Sequence, residues 1–130
     1  VLEKHLRHLL KLKPDHAHAL NALGYSLADR NVRLDEAKKL ITRALALAPE
    51  DPFIMDSMGW VLFRQGKLPE ALKTLETAYG IKADPEIAAH IGEVLWTLGR
   101  KEEASRVVME AVKKFPDSEI LAGALKKFQP

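Results

Sequence analysis

The chain contains no cysteine, so disulfides, thiol nucleophiles and cysteine-ligated metals are all excluded. That absence leaves the compartment open, since a cytosolic protein and a cysteine-free periplasmic one look alike. No apolar run approaches the roughly 18 residues that a membrane-spanning helix needs, and no secretory leader is visible. Neither sign of charge dominates: 20 basic and 18 acidic side chains leave +2, too even to indicate nucleic acid or an anionic membrane. Enzyme signatures are missing as well. There is no Gly-rich phosphate loop, no His-Glu-x-x-His run and no Gly-x-Ser-x-Gly elbow. Ser26, Ser57, Ser105 and Ser118 have no local activating arrangement. His5 with His8, and His16 with His18, are short-range pairs, not the three or four converging ligands of a zinc site. These absences predict a chain that is not an enzyme and that has no cofactor and no metal. Its 47% hydrophobic and 29% charged residues are nonetheless those of a folded domain.

What is present is a period. Gly24, Gly59 and Gly92 occupy matching places, in Leu23-Gly24-Tyr25, Met58-Gly59-Trp60 and Ile91-Gly92-Glu93, spaced by 35 and 33 residues. An alanine follows each glycine (Ala37, Ala71, Ala104), and a second comes seven residues later (Ala44, Ala78, Ala111). Self-similarity at this period marks a stacked repeat. Apolar residues recur at helical spacing, as in Ile54, Met58, Val61 and Leu62, or Ile87, Ile91, Val94 and Leu95. The small residues let paired antiparallel helices approach closely, with Gly24 expected to face Ala37. Alanine on the second helix keeps the helix propensity that glycine would cost.

The expected organisation is a single array. Residues 1–14 form the second helix of a truncated repeat. Residues 17–51, 52–84 and 85–118 form three full units, and 119–130 a capping helix. Asp15, Asp51 and Asp84 stand where they can cap the first helices, with Pro52 and Pro85 at the tolerant first-turn position. Ser118 and Asp117 do the same for the last segment. Pro14, Pro49 and Pro116 end the second helices, and Gly66 and Gly99 suit C-terminal caps. The first unit has one extra residue in its turn and no glycine there. In the second unit, Gly80 is expected to end the second helix early. Because the chain enters in mid-pattern, it is expected to be a piece of a longer protein.

These residues resemble the tetratricopeptide repeat family. Leu20, Leu23, Gly24, Leu27, Ala37, Ile41, Ala44 and Pro49 of the first unit fall on the family's constrained positions. So do Met55, Met58, Gly59, Leu62, Ala71, Leu75 and Ala78 of the second. The third supplies Ala88, Ile91, Gly92, Leu95, Ala104, Val108, Ala111 and Pro116. The resemblance implies an all-α, right-handed superhelical solenoid of helix-turn-helix repeats that acts as an interaction scaffold. The strings Asp56-Ser57-Met58-Gly59-Trp60-Val61 and Asp84-Pro85-Glu86-Ile87-Ala88-Ala89-His90-Ile91-Gly92-Glu93-Val94-Leu95-Trp96 look like those of proteobacterial repeat lipoproteins. Those proteins are outer-membrane-tethered scaffolds, one of them a protease adaptor. That narrower likeness implies a bacterial periplasmic or outer-membrane-tethered location, with cytoplasm the alternative.

In such an architecture the first helices line a concave groove. The candidate partner-binding residues are Asn21, Tyr25 and Asp29 in the first unit, and Phe53, Asp56, Trp60, Phe63 and Arg64 in the second. The third unit adds Glu86, His90, Glu93, Trp96 and Thr97. Five of the chain's few aromatics fall here, and large aromatics facing water are natural anchors for a partner. Trp60 and Tyr25 are expected to be exposed in the groove, whereas Phe63 and Trp96 fold down between helices. The groove is mildly acidic, through Asp29, Asp56, Glu86 and Glu93, and Arg64 is its one basic side chain. Family members that hold a C-terminal carboxylate use Lys and Asn at positions occupied here by Asn21, Tyr25, Asp56, Trp60, Ala89 and Glu93. No carboxylate clamp is therefore expected. The expected partner is a protein or peptide segment, apolar and neutral or basic, with no nucleic acid and no membrane insertion. Self-association through the segment 1–13, or a purely structural spacer role, is the alternative.

Overall fold

A computed structural model describes residues 2–128. Val1, Gln129 and Pro130, the outer ends of the first and last expected segments, lie outside the described residues. Among those described, the chain forms eight helices and no strand: α1 (Leu2–Leu12), α2 (Ala17–Asp29), α3 (Leu34–Leu47), α4 (Pro52–Arg64), α5 (Leu68–Ile81), α6 (Pro85–Thr97), α7 (Lys101–Lys114) and α8 (Glu119–Lys127). Helices α2 with α3, α4 with α5 and α6 with α7 form the three repeat pairs. Successive pairs stack through α2 on α4 and α4 on α6, while α3 packs on α4 and α5 on α6. Helix α1 docks on α2, and α8 closes the other end against α6 and α7.

The helix ends follow from local chemistry. Asp51 accepts from the Phe53 and Ile54 amides, and Asp84 from those of Glu86 and Ile87, each ahead of a first-turn proline. Ser118 accepts from Leu121 N–H in the same way. At α2 the expected cap is different: His16 Nδ1, not Asp15, accepts from Ala19 N–H at 3.1 Å. Asp15 sits one residue too early and faces solvent, 3.6 Å from Arg43. Gly66 and Gly99 turn the second and third units with φ of +80° and +85°. The longer first turn reaches the left-handed region at two non-glycine residues, Asn31 and Arg33. Gly80 does not end α5, which runs on through Ile81. A glycine with helical dihedrals lowers propensity but does not by itself break hydrogen bonding.

Three contiguous core clusters run along the array, one per interface between neighbouring layers. The repeat glycines make them possible. A Cβ on Gly24 would lie 2.6 Å from Ile41 Cγ1, one on Gly59 2.6 Å from Leu75 Cγ, and one on Gly92 2.8 Å from Val108 Cγ2. The residue lying against each glycine is thus the large apolar side chain of the second helix. The Ala37 and Ala71 carbonyls lie slightly further off, at 3.1 and 3.5 Å from the Gly24 and Gly59 Cβ positions. Of the α1 leucines, Leu6 joins the first core with Leu10, and Leu2 stays 60% exposed.

Gly59→Val should destabilise the chain by about 2 kcal/mol, because overpacking against Leu75 outweighs the gain in helix propensity. Gly80→Ala, where a Cβ meets nothing within 4 Å, should instead stabilise by about 0.5–1 kcal/mol. Urea unfolding of both variants checks the opposite signs.

Candidate functional site

The first helices α2, α4 and α6 lie side by side, and a side-chain chain crosses all three. His90 on α6 donates from Nδ1 to Asp56 Oδ1 on α4 at 2.8 Å. Its Nε2 lies 3.5 Å from the Tyr25 hydroxyl of α2, and that hydroxyl donates to Glu86 Oε1 at 3.3 Å. Packed helices sit about 8–10 Å apart, so α2 and α6 on either side of α4 would be roughly 16–20 Å apart on a flat face. Tyr25 and His90 meet over α4, as side chains on the concave face of a curved array do.

Beneath this chain lies an aromatic layer. The Trp60 ring stacks on His90 with centroids 4.2 Å apart and on Phe63 at 4.8 Å. The Arg64 guanidinium lies 5.0 Å from the Trp60 ring. Trp60 is therefore 7% exposed, not the exposed anchor that its groove position suggests. The inward curve brings the His90 imidazole over its face. Its indole Nε1 is buried with no acceptor. Asp56 (5% exposed) and His90 (9%) are buried with it. Tyr25 is partly buried, and Phe53 keeps 45% of its surface exposed.

Above the layer opens a concave pocket of about 440 Å³, walled on α2 by Asn21, Tyr25 and Asp29 and on α4 by Phe53 and Asp56. Glu86 of α6 closes it. The wall has a second row that the sequence reading missed: Ala22, Ser26 and Arg30 on α2, with Ser57 on α4. Asn21, Tyr25 and Asp29 recur every four residues, and so do Ala22, Ser26 and Arg30. Adjacent rows on a helix face the same space, which is the signal that could have found them.

The remaining candidates stand elsewhere. Glu93 is held by Lys127 of α8 at 2.6 Å, and Trp96 lies 5.3 Å from the Phe128 ring with Lys101 over its face at 4.9 Å. The Thr97 hydroxyl donates to the Glu93 carbonyl. Helix α8 thus takes up this end of the face. Phe63 packs between the first two cores and Trp96 between the last two, as expected. Arg64 donates to the Asp29 carbonyl at 3.1 Å and sits 3.9 Å from its carboxylate.

Electrostatically the pocket is negative. Burial pushes the Tyr25 hydroxyl above its ordinary range, and the nearby Glu86, Asp29 and Asp56 charges push it further. The one cation on the wall, Arg30, donates to Glu3 of α1 at 2.9 Å and to the Ser26 carbonyl. Glu3 also binds Arg7 and Arg33. Arg30, then Arg7 and Arg33, hold its carboxyl at about 2, below the ordinary 4.5. The structure also gathers Asp56, Glu86 and His90, with ligand-type atoms all within 4.8 Å of one another. All three stood among the groove candidates, and their convergence across two repeats is a tertiary feature that local spacing does not encode.

Stacked helix pairs of this length, curved around their first helices, define a helical-repeat solenoid. Family models described as tetratricopeptide repeat match residues 3–52 and 62–127. A TPR repeat-containing protein of Pseudomonas aeruginosa is 53% identical over 92 residues, which is 71% of this chain. The chain belongs to the tetratricopeptide repeat family. The matched stretch is only 16% of that relative's length. Among solved structures, the fold is similar to TTC0263, a thermophilic TPR protein of Thermus thermophilus. The TM-score is 0.85 at 19% identity, covering 97% of this chain and 70% of that one. It is also similar to the first TPR domain of Spaghetti (RPAP3), solved with the HSP90 peptide SRMEEVD. There the TM-score is 0.74 at 19% identity, covering 86% and 91%. No helix among the described residues is long and apolar enough to cross a membrane.

Asp56→Ala leaves the His90 Nδ1–H without an acceptor beneath the pocket and should cost about 2 kcal/mol in urea unfolding. Glu3 has a depressed pKa in the folded chain, so its contribution is present above about 4.5 and lost as pH falls towards about 2. Hydrogen exchange in α1, corrected for intrinsic rates, should accelerate over that window, and Glu3→Gln should reduce the dependence to the part carried by the Arg7–Glu36 pair, whose carboxyl is also lowered by Arg7.

Proposed function

We propose that this chain is a non-enzymatic scaffold whose α2–α4–α6 face binds an extended segment of a partner protein. The observation that carries this reading is the pocket itself: an exposed phenyl ring, Phe53, and a half-buried phenol, Tyr25, line one concave space between α2 and α4, with Leu2 of α1 and Glu86 of α6 at its edges. Aromatic side chains held on helices bind with little loss of side-chain entropy. Family membership supports the reading, since the domain of Spaghetti (RPAP3) carries a bound peptide on the same fold. The acidic wall here favours an apolar segment that is neutral or basic, and it disfavours nucleic acid on this face.

Self-association through α1 is the competing reading. Leu2 and Leu12 motivate it, being 60% and 69% exposed. Sedimentation over a range of concentrations separates the two, because a strict monomer removes the α1 interface. The likeness to outer-membrane-tethered repeat lipoproteins extends the proposal to an adaptor of the bacterial envelope, which fractionation of the native host tests.

The groove residues to mutate are Phe53 and Tyr25. Trp60→Ala would remove a buried ring and unsettle the fold itself by about 3–5 kcal/mol. Phe53→Ala should leave stability within about 0.5 kcal/mol and weaken partner binding by about 2 kcal/mol. Calorimetric titration against a bound segment measures it, and unchanged affinity in the folded variant would contradict the groove.

A further inference from the structure

The pocket wall carries three carboxylates, Asp29, Asp56 and Glu86, around two aromatic side chains, Tyr25 and Phe53. Its own cation, Arg30, is already paired with Glu3 at 2.9 Å. Asp29 has Arg64 at 3.9 Å, whereas Glu86 receives only the Tyr25 hydroxyl and makes no ion pair among the described residues. Asn21 shares the wall, and its carboxamide oxygen has no donor. Carboxylates beside aromatic faces form a receptor for an organic cation, which gains both charge-assisted hydrogen bonds and ring contact. A metal ion fits less well. The space of about 440 Å³ is far larger than an ion.

We infer that this pocket is a subsite for the arginine or lysine side chain of the bound segment, held by Glu86 and Asp56 between Tyr25 and Phe53. This rests on the groove reading above and deepens it, because it names the residue that the face selects. The charge logic is opposite to that of a carboxylate-holding groove. A free C-terminal carboxylate should therefore not be held at this pocket.

The test is selection of a random displayed peptide library on this chain, followed by calorimetric titration of the selected peptides. Enrichment of Arg or Lys is expected, with affinity falling about tenfold when that Arg is replaced by its neutral isostere citrulline. Glu86→Gln, an exposed and conservative change, should produce a similar loss with the Arg peptide and little further loss with the citrulline peptide. Binders that are lost in Phe53→Ala but lack a basic residue, or that bind equally with citrulline, would overturn the cation subsite and leave the groove standing. A library that yields no binder, or only binders indifferent to Phe53→Ala, would overturn the groove and the subsite together.

Discussion

Everything in this chain depends on how closely the two helices of each repeat can approach. The van der Waals space of Ile41, Leu75 and Val108 occupies the place where a Cβ on Gly24, Gly59 or Gly92 would stand. Each glycine forgoes helix propensity, and the close-packed interface behind it offsets that loss. The constraint recurs in each helix pair, and successive pairs stack through their first helices. The three first helices then share one inward-curving face, and the pocket is a consequence of that curvature.

The curve also explains which polar groups are buried. Tyr25 reaches α6 only because the face folds inward, and the same movement brings His90 over Trp60 and onto Asp56. A buried carboxylate is tolerated when it is hydrogen-bonded, and here the imidazole supplies the donor. The Asp56–His90 bond therefore links neighbouring repeats as well as flooring the pocket. Helix α8 has a related effect at the far end, where Lys127 and Phe128 occupy Glu93 and Trp96 and confine the open surface to the α2–α4 side.

The repeat frame was legible in the sequence, because glycine spacing, capping aspartates and first-turn prolines each act within a few residues. The structure departs where a choice between near-equivalent neighbours was involved. His16 caps α2 although Asp15 is the stronger cap by type, since only the residue directly before the helix reaches the Ala19 amide. Which residues stand on the first helices was also legible, and Asn21, Tyr25, Phe53, Asp56 and Glu86 do meet in one pocket. How deep each lies was not. Trp60 occupies a groove position but is covered by a histidine 30 positions away in the chain, a tertiary contact that no local pattern encodes. Arg30 was overlooked because it stands one row beyond the rows expected to face the groove, and its role depends on Glu3 from another helix.

The proposed recognition surface is the α2–α4–α6 face. The most direct measurement is amide and side-chain chemical-shift mapping of the labelled chain as a selected peptide is added. Perturbations are expected to concentrate at Asn21, Tyr25, Phe53, Asp56 and Glu86, with α3, α5 and α7 unmoved. Perturbations centred on α3, α5 and α7, with the pocket residues silent, would contradict it.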